Sequence, residues 1–405
     1  MTGPLDDVRV VDLTQVMAGP FCTMLLGDMG ADVIKVERPG TGDLSRRMGG
    51  AGLRMPGADN APFFALNRNK RSIVLDLRVQ QDRETLFALV ETADVMVESF
   101  RPGVTVRLGI DYAAVARIQP RIVYASISGF GQTGPWADRP GFDLIAQGMA
   151  GLMSVTGEPG GPPVKCGIPI SDLTAGLHAA CGVLAGLHAR ERIGRGQYVE
   201  TSLFESALSL AVWEATSFWA TGEPPGALGS AHRLSAPYQA FRTADGWITI
   251  AALTQAQWES LCRVLRRDEL TRDPRFISNA ARMSHRPELE KEIEAALAGS
   301  NVDTWVDRLL AAGVPAGPIH GLDRVLAEPH TQARRMIEDV DHPVAGRVHT
   351  LGFPIKMHGT PARVRRPPPR LGEHTDEVLR ELADRTGSNG GAARTTGTAA
   401  GERAP

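Results

Sequence analysis

The sequence has little cysteine and no long uninterrupted apolar run. Its four cysteines, Cys22, Cys166, Cys181 and Cys262, are scattered and form no CxxC pair. That pattern argues against a disulfide framework or a cysteine-based zinc site and suits reduced thiols in a cytosol. Apolar stretches are broken by Gly, His or charge before they reach the roughly 20 residues of a membrane span. Met1–Asp7 is polar and acidic, unlike the basic and then apolar opening of a secretory signal. Charge of one sign is also missing. The 44 basic and 46 acidic residues are spread evenly, for a formal net charge of −2. No face is therefore marked for nucleic acid or an anionic membrane. There is no HExxH, and His178 and His188 stand too far apart along one expected helix to share an ion. No GxSxG elbow occurs either. These absences lead us to expect a cytoplasmic protein with no metal, no nucleic-acid partner and no membrane anchor.

What is present is an alternation of short apolar runs and helical periods. The runs Val8–Leu13, Asp32–Val36, Ser72–Leu77, Asp94–Glu98 and Arg121–Ser126 are bounded by turn signals, with an amphipathic stretch at Gln81–Thr92. Such spacing predicts parallel strands covered on both faces, an α/β Rossmann-like layer. Helices are expected at Phe142–Met153, Leu173–Arg192 and Leu203–Thr221, the second with Leu173, Leu177, Val183, Leu184 and Leu187 as its core-facing stripe. The Gly/Pro-rich stretch Gly222–Ala236 reads as a linker or loop, followed by a smaller α+β domain. The expected organisation is 1–221 for the first part of a large domain, 222–330 for linker and small domain, 331–385 for a return to the large domain, and 386–405 for a disordered tail.

Gly129–Gly134 fits GxGxxG, but Pro135 to Pro140 follows as loop where a dinucleotide site needs a helix start. Asp172 stands between an extended, Pro-containing segment and an apolar helix. Spacing alone favours an N-cap; the two roles can coexist, because a helix terminus stabilises an ionised carboxylate, which can act as a nucleophile. Gly226 and Gly229 in the linker have the freedom of a lid. Arg38 and Arg78 follow strand-like runs and Arg107 lies downstream of another, as suits a phosphate-bearing ligand outside the carboxyl ends of the strands.

Several segments together resemble the class III CoA-transferases, of the formyl-CoA transferase and carnitine CoA-transferase type. They are Val11–Pro20, Leu26–Pro39, Asn69–Asp76, Ala93–Gly103, Pro169–Gly176, Gly194–Gln197 and Leu371–Thr375, in order over most of the chain. The resemblance implies a Rossmann-like large domain built from both ends of the chain, a smaller inserted domain and an interlocked homodimer. It implies Asp172 as catalytic nucleophile, and Val16, Met17, Ala18, Arg38, Leu75, Arg78, Ser99, Phe100 and Arg107 as contacts to coenzyme A. Phe142, Asp143, Gly226 and Gly229 fall in the implied substrate pocket. Coenzyme A is then a substrate, exchanged between an acyl-CoA and small carboxylic acids, and no cofactor stays bound. Met17 replaces a glutamine of the formyl-CoA transferases, and their tetraglycine loop is missing. Two alternatives stay open. A related α-methylacyl-CoA racemase needs a His-Asp pair where this chain has Phe142-Asp143. A non-catalytic acyl-CoA-binding protein would keep the arginines without needing Asp172.

Overall fold

A computed structural model describes residues 3–392. By contacts the chain forms two compact units, one of Met1–Ala150, Gly167–Val212 and Ala333–Pro405, the other of Gly151–Cys166 and Trp213–Gln332. The first unit is an α/β layer around a six-stranded sheet: β1 (Arg9–Asp12), β2 (Asp32–Glu37), β3 (Lys70–Val74), β4 (Val95–Glu98), β5 (Val123–Ser128) and β6 (Gln197–Ser202). All neighbours pair in parallel, in the order β3-β2-β1-β4-β5-β6. That is the doubly wound order, whose direction reverses between β1 and β4 and opens a crevice at the carboxyl ends of the strands.

The apolar runs become strands because helices cover both faces. Every residue of β4 and β5 is buried, as two-sided burial requires. One face packs against helices Ala18–Asp28 and Ile170–Ile193, with Cys22, Leu26, Ala179 and Val183 in the core. On the other face Leu86, Leu89, Val115 and Tyr124 are buried. Val378 of the last helix, Thr375–Ala392, joins that second core. Arg71 ties this helix to the sheet through Glu377 (2.8 Å) and Glu381 (2.5 Å). The last helix thus continues beyond residue 386, where unstructured chain was expected; the rest of that tail, 393–405, lies outside the described residues.

Helix Ile170–Ile193 departs from two expectations. By length and hydropathy it is apolar enough to cross a membrane, since Gly and His interrupt it without adding charge. Half of its most apolar window is buried in the fold, packed on β5, β6 and helix Ala18–Asp28. Its core face follows the leucine stripe only in part: Val183 and Leu187 are buried and Leu184 packs against them. Leu177 is 47% exposed, whereas Ala175, Gly176, Ala179 and Ala180 are buried. Small residues allow a close crossing: a Cβ on Gly176 would lie 2.6 Å from the Ala18 carbonyl oxygen.

The second unit has an antiparallel sheet of β7 (Tyr238–Arg242), β8 (Trp247–Ala251) and β9 (Ala316–Pro318). Helices Gln255–Leu265, Arg286–Leu297 and Val302–Ala311 enclose Trp258, Phe276, Ile293 and Leu309. Gly151–Cys166 and Trp213–Thr221, assigned to the large domain from sequence, cluster with this unit. Gly229 N–H donates to the Gly157 carbonyl at 2.8 Å, and the Trp213 ring meets His232 edge-on at 6.0 Å.

Candidate active site

A cleft of about 750 Å³ opens at the carboxyl ends of the six strands. Each strand delivers residues to it as it ends: Leu13 after β1, Arg38 after β2, Leu75 and Arg78 after β3, Ser99 and Phe100 after β4, Gly129 after β5 and Leu203 after β6. Val16, Met17, Ala18, Phe142 and Asp172 line the same cleft. Most residues singled out from sequence are thereby brought together. Arg107 is not: it sits exposed on the short helix Val104–Leu108, and Arg101 lines the cleft from that loop. Asp143 does not line the cleft; its carboxylate accepts the Ser171 N–H. Gly226 and Gly229 belong to the second unit, where Arg233 donates to the Gly226 carbonyl at 2.9 Å. Arg101 and Arg139 line the cleft without having been expected there; Arg101 lies inside the motif segment Ala93–Gly103, and Arg139 in the loop after Gly134.

The turn after β1 is held from below by buried charge. Asp12, Lys35 and Lys70 have no exposed surface, although Asp12 and Lys35 fall in runs that read as apolar and Lys70 opens β3 ahead of one. Lys70 Nζ is 3.1 Å from the Asp12 carboxylate and also donates to the Asn67 side chain. Asp12 accepts from the Thr14 N–H at 2.9 Å and from the Thr23 hydroxyl at 2.7 Å. Burial alone would raise the Asp12 pKa, but Lys35 and Lys70 hold it down to about 2. Lys35 donates to the Thr14 carbonyl at 2.8 Å and pairs with Asp43 at 2.9 Å. Asp43 in turn accepts the Val16 N–H at 3.1 Å, and Ser99 Oγ accepts the Gln15 N–H at 3.2 Å. Val16 sits at φ 71°, a left-handed conformation that costs a β-branched residue about 1–3 kcal/mol. The clamp around it offsets that strain. Ser99 therefore has a structural use as well, joining the loops on either side of the topological switch.

Asp172 is not an N-cap. Helix Ile170–Ile193 starts two residues before it, with Pro169 in the cap position and Asp172 in the first turn. The capping bond comes from Asp143, whose Oδ1 accepts the Ser171 N–H at 2.9 Å while Gln147 donates to Oδ2 at 2.7 Å. Asp172 is thus left half-buried, and among the described residues its carboxylate makes no side-chain hydrogen bond or ion pair. Burial, helped by the negative charge of Asp143, pushes its pKa up to about 7. The helix terminus was expected to keep this carboxylate ionised at low pH; burial and a like charge outweigh it. A carboxylate free of partners, set in a cleft and basic enough to attack, is suited to covalent catalysis.

A pH profile follows from this. If the attacking form is the carboxylate, activity falls about tenfold per pH unit below a midpoint near pH 7. Asp143→Asn removes the neighbouring charge but keeps an acceptor for Ser171, so the acid limb should move to lower pH. Rate profiles of kcat/KM for both proteins check the shift; an unmoved limb rules out the coupling.

The profile of CoA-transferase family III matches residues 5–375. The chain is 42% identical over 395 residues to a succinyl-CoA:mesaconate CoA-transferase of Haloarcula hispanica, covering 96% of this chain and 98% of that protein. It is 35% identical over 379 residues to the succinyl-CoA:glutarate CoA-transferase of Homo sapiens, with 94% and 86% covered. Among solved structures, a CAIB/BAIF family protein from Brucella suis superposes with a TM-score of 0.85 at 37% identity, over 94% of this chain and 100% of that one.

Proposed function

The chain belongs to CoA-transferase family III, and from that premise we propose that it moves coenzyme A between carboxylic acids through covalent intermediates on Asp172. The observation that carries this reading is the Asp172 carboxylate itself, unpartnered and basic, in one cleft with Arg38 and Arg78. A direct reaction of two acids through a free anhydride would lose the thioester's energy to water. An enzyme carboxylate avoids that loss.

In the first step a carboxylate oxygen of Asp172 adds to the donor's thioester carbonyl. The C–S bond breaks, giving a mixed anhydride and CoA thiolate. The thiolate then attacks the Asp172 carbonyl carbon, forming an aspartyl-CoA thioester and releasing the donor acid as its carboxylate. The acceptor carboxylate attacks this thioester, again giving an anhydride and thiolate. Attack of the thiolate on the acceptor's carbonyl completes the transfer and restores Asp172. Two first-turn N–H groups, those of Ala18 and Gly19, open the helix that borders the cleft and suit the developing oxyanions. Arg38 and Arg78, at the ends of β2 and β3, suit the phosphates of the substrate.

Hydroxylamine trapping tests the reading. Incubation with an acyl-CoA and hydroxylamine, followed by peptide mass spectrometry, should place a hydroxamate on Asp172. Exchange of the α-proton with solvent deuterium, and no hydroxamate, would instead select the racemase, for which Phe142 offers no base.

An interlocked homodimer is part of the same proposal. Trp213 and Trp219 on helix Val212–Thr221 are 64% and 77% exposed, an apolar surface that a second subunit would cover. A solution mass of two chains by light scattering is the expected result.

A further inference from the structure

The arginines lining the cleft stand on opposite sides of the sheet. Arg38 and Arg78 follow β2 and β3, whereas Arg139 comes from the Gly129–Gly141 loop after β5. In the strand order, β5 is three steps from β2 and four from β3, roughly 14–19 Å at strand spacing. The helix that carries Asp172 packs on β5 and β6. Arg139 therefore shares the nucleophile's side of the cleft, and Arg38 and Arg78 mark the far side.

The loop that presents Arg139 is built to hold it. Its neck is a contact of two glycines: a Cβ on Gly129 would lie 2.7 Å from the Gly141 Cα, and one on Gly141 would lie 2.3 Å from the Gly129 Cα. The Arg139 guanidinium carbon rests 5.0 Å from the centre of the Trp136 ring. Trp136 is itself fixed edge-on against Phe130 (6.0 Å) and Phe204 (5.4 Å). Arg139 N–H donates to the Trp136 carbonyl at 2.9 Å. No carboxylate among the described residues pairs with Arg139, whereas Arg78 is already gripped by Asp76 at 2.9 and 2.7 Å.

We propose that Arg139 is the subsite for the second carboxylate of a short dicarboxylic acid, whose first carboxylate is the one joined to coenzyme A through Asp172. This assignment rests on the transfer reading above. An aromatic face orients the guanidinium while its N–H fork stays free, and that fork matches a carboxylate in bidentate fashion. The surroundings of Gly141, Phe142 and Leu203 offer a monocarboxylate's tail no competing polar group. Of the lining arginines, Arg139 alone follows β5, the strand on which the Asp172 helix packs.

The test uses Arg139→Gln and Arg139→Lys with acetyl-, propionyl- or butyryl-CoA as donor, so that the donor has no second carboxylate. Acceptors are succinate and glutarate against butyrate and valerate. Losing a charge-assisted pair is worth about 10–100-fold, so Arg139→Gln should raise KM for the dicarboxylates by that factor. KM for butyrate and for the donor should stay within about twofold, and the lysine variant should recover part of the loss. Equal losses for succinate and butyrate, or a rise confined to the donor's KM, would overturn the assignment. So would a wild-type preference for monocarboxylates, which leaves the transfer reading intact. Wild-type protein that moves coenzyme A between no pair of acids overturns the transfer reading, and this one with it.

Discussion

Asp172→Asn should lower turnover by about 10⁴–10⁶-fold, the range seen when one member of a covalent catalytic unit is removed. The substitution preserves size and changes the one property the mechanism needs. Acyl-CoA affinity, measured calorimetrically, should change little, because the arginines at the strand ends are untouched. Stability separates this from a structural role. Asp172 has a folded-state pKa of about 7 against an ordinary value of 3.8. Any stability linked to that carboxyl is thus fully present below pH 3.8 and is lost as pH rises towards 7. The neutral asparagine avoids that loss, so at pH 8 the variant should melt no lower than wild type, and higher if the unfolded state is unchanged. An inactive variant that melts well below wild type would mark Asp172 as part of the scaffold, and an active one would remove it from the mechanism.

The second large effect concerns Asp12. Asp12→Ala leaves Lys35 and Lys70 buried without the carboxylate they share. Breaking a buried ionic group from one side costs about 3–5 kcal/mol. Asp43 still pairs with Lys35, so most of the damage falls on Lys70, whose pKa burial already pulls down to about 8. Asp12→Asn keeps an acceptor for Thr14 and should be milder. Adding Lys70→Met to Asp12→Ala should cost less than the sum of the single changes. Amide exchange at β1, read as a function of urea, reports the unit that contains the pair. Wild-type protection in Asp12→Ala would contradict the view that this charge cluster supports the sheet.

Much of the large unit could be read from its apolar runs, since β1 to β5 are buried on both faces and therefore stand out from their surroundings. β6 did not stand out. It alternates half-buried and exposed residues at the sheet's edge, and its entry depends on Gly196, where a Cβ would lie 1.8 Å from the Ile122 carbonyl oxygen. The division of Leu203–Thr221 into two helices has no Gly or Pro to announce it. Asp172 was legible as a special carboxylate, but its relation to the helix was not. The cap that frees it comes from Asp143, 28 residues upstream of the Ser171 N–H it accepts, and only the tertiary fold joins them. Their places just after strand-like runs led to Arg38 and Arg78, and the family resemblance implied the same two residues. Arg139 has no such motif, and its position depends on two glycines meeting across a loop. The buried lysines were hidden for another reason: Lys35 falls inside an apolar run, and Lys70 stands among polar residues ahead of one, where a lysine reads as exposed.

The turn at Gln15–Met17 has a consequence for how such a site changes over generations. The clamps from Asp43 and Ser99, and that of Lys35 on the preceding Thr14 carbonyl, grip the main chain and leave the side chains of the turn untouched. Shape and chemistry are therefore encoded in different residues. Met17 lines the cleft, so a substitution at position 17 changes that lining without disturbing the path of the backbone. The same separation makes position 17 a natural place to begin laboratory selection for new acids, and Asp43 a poor one.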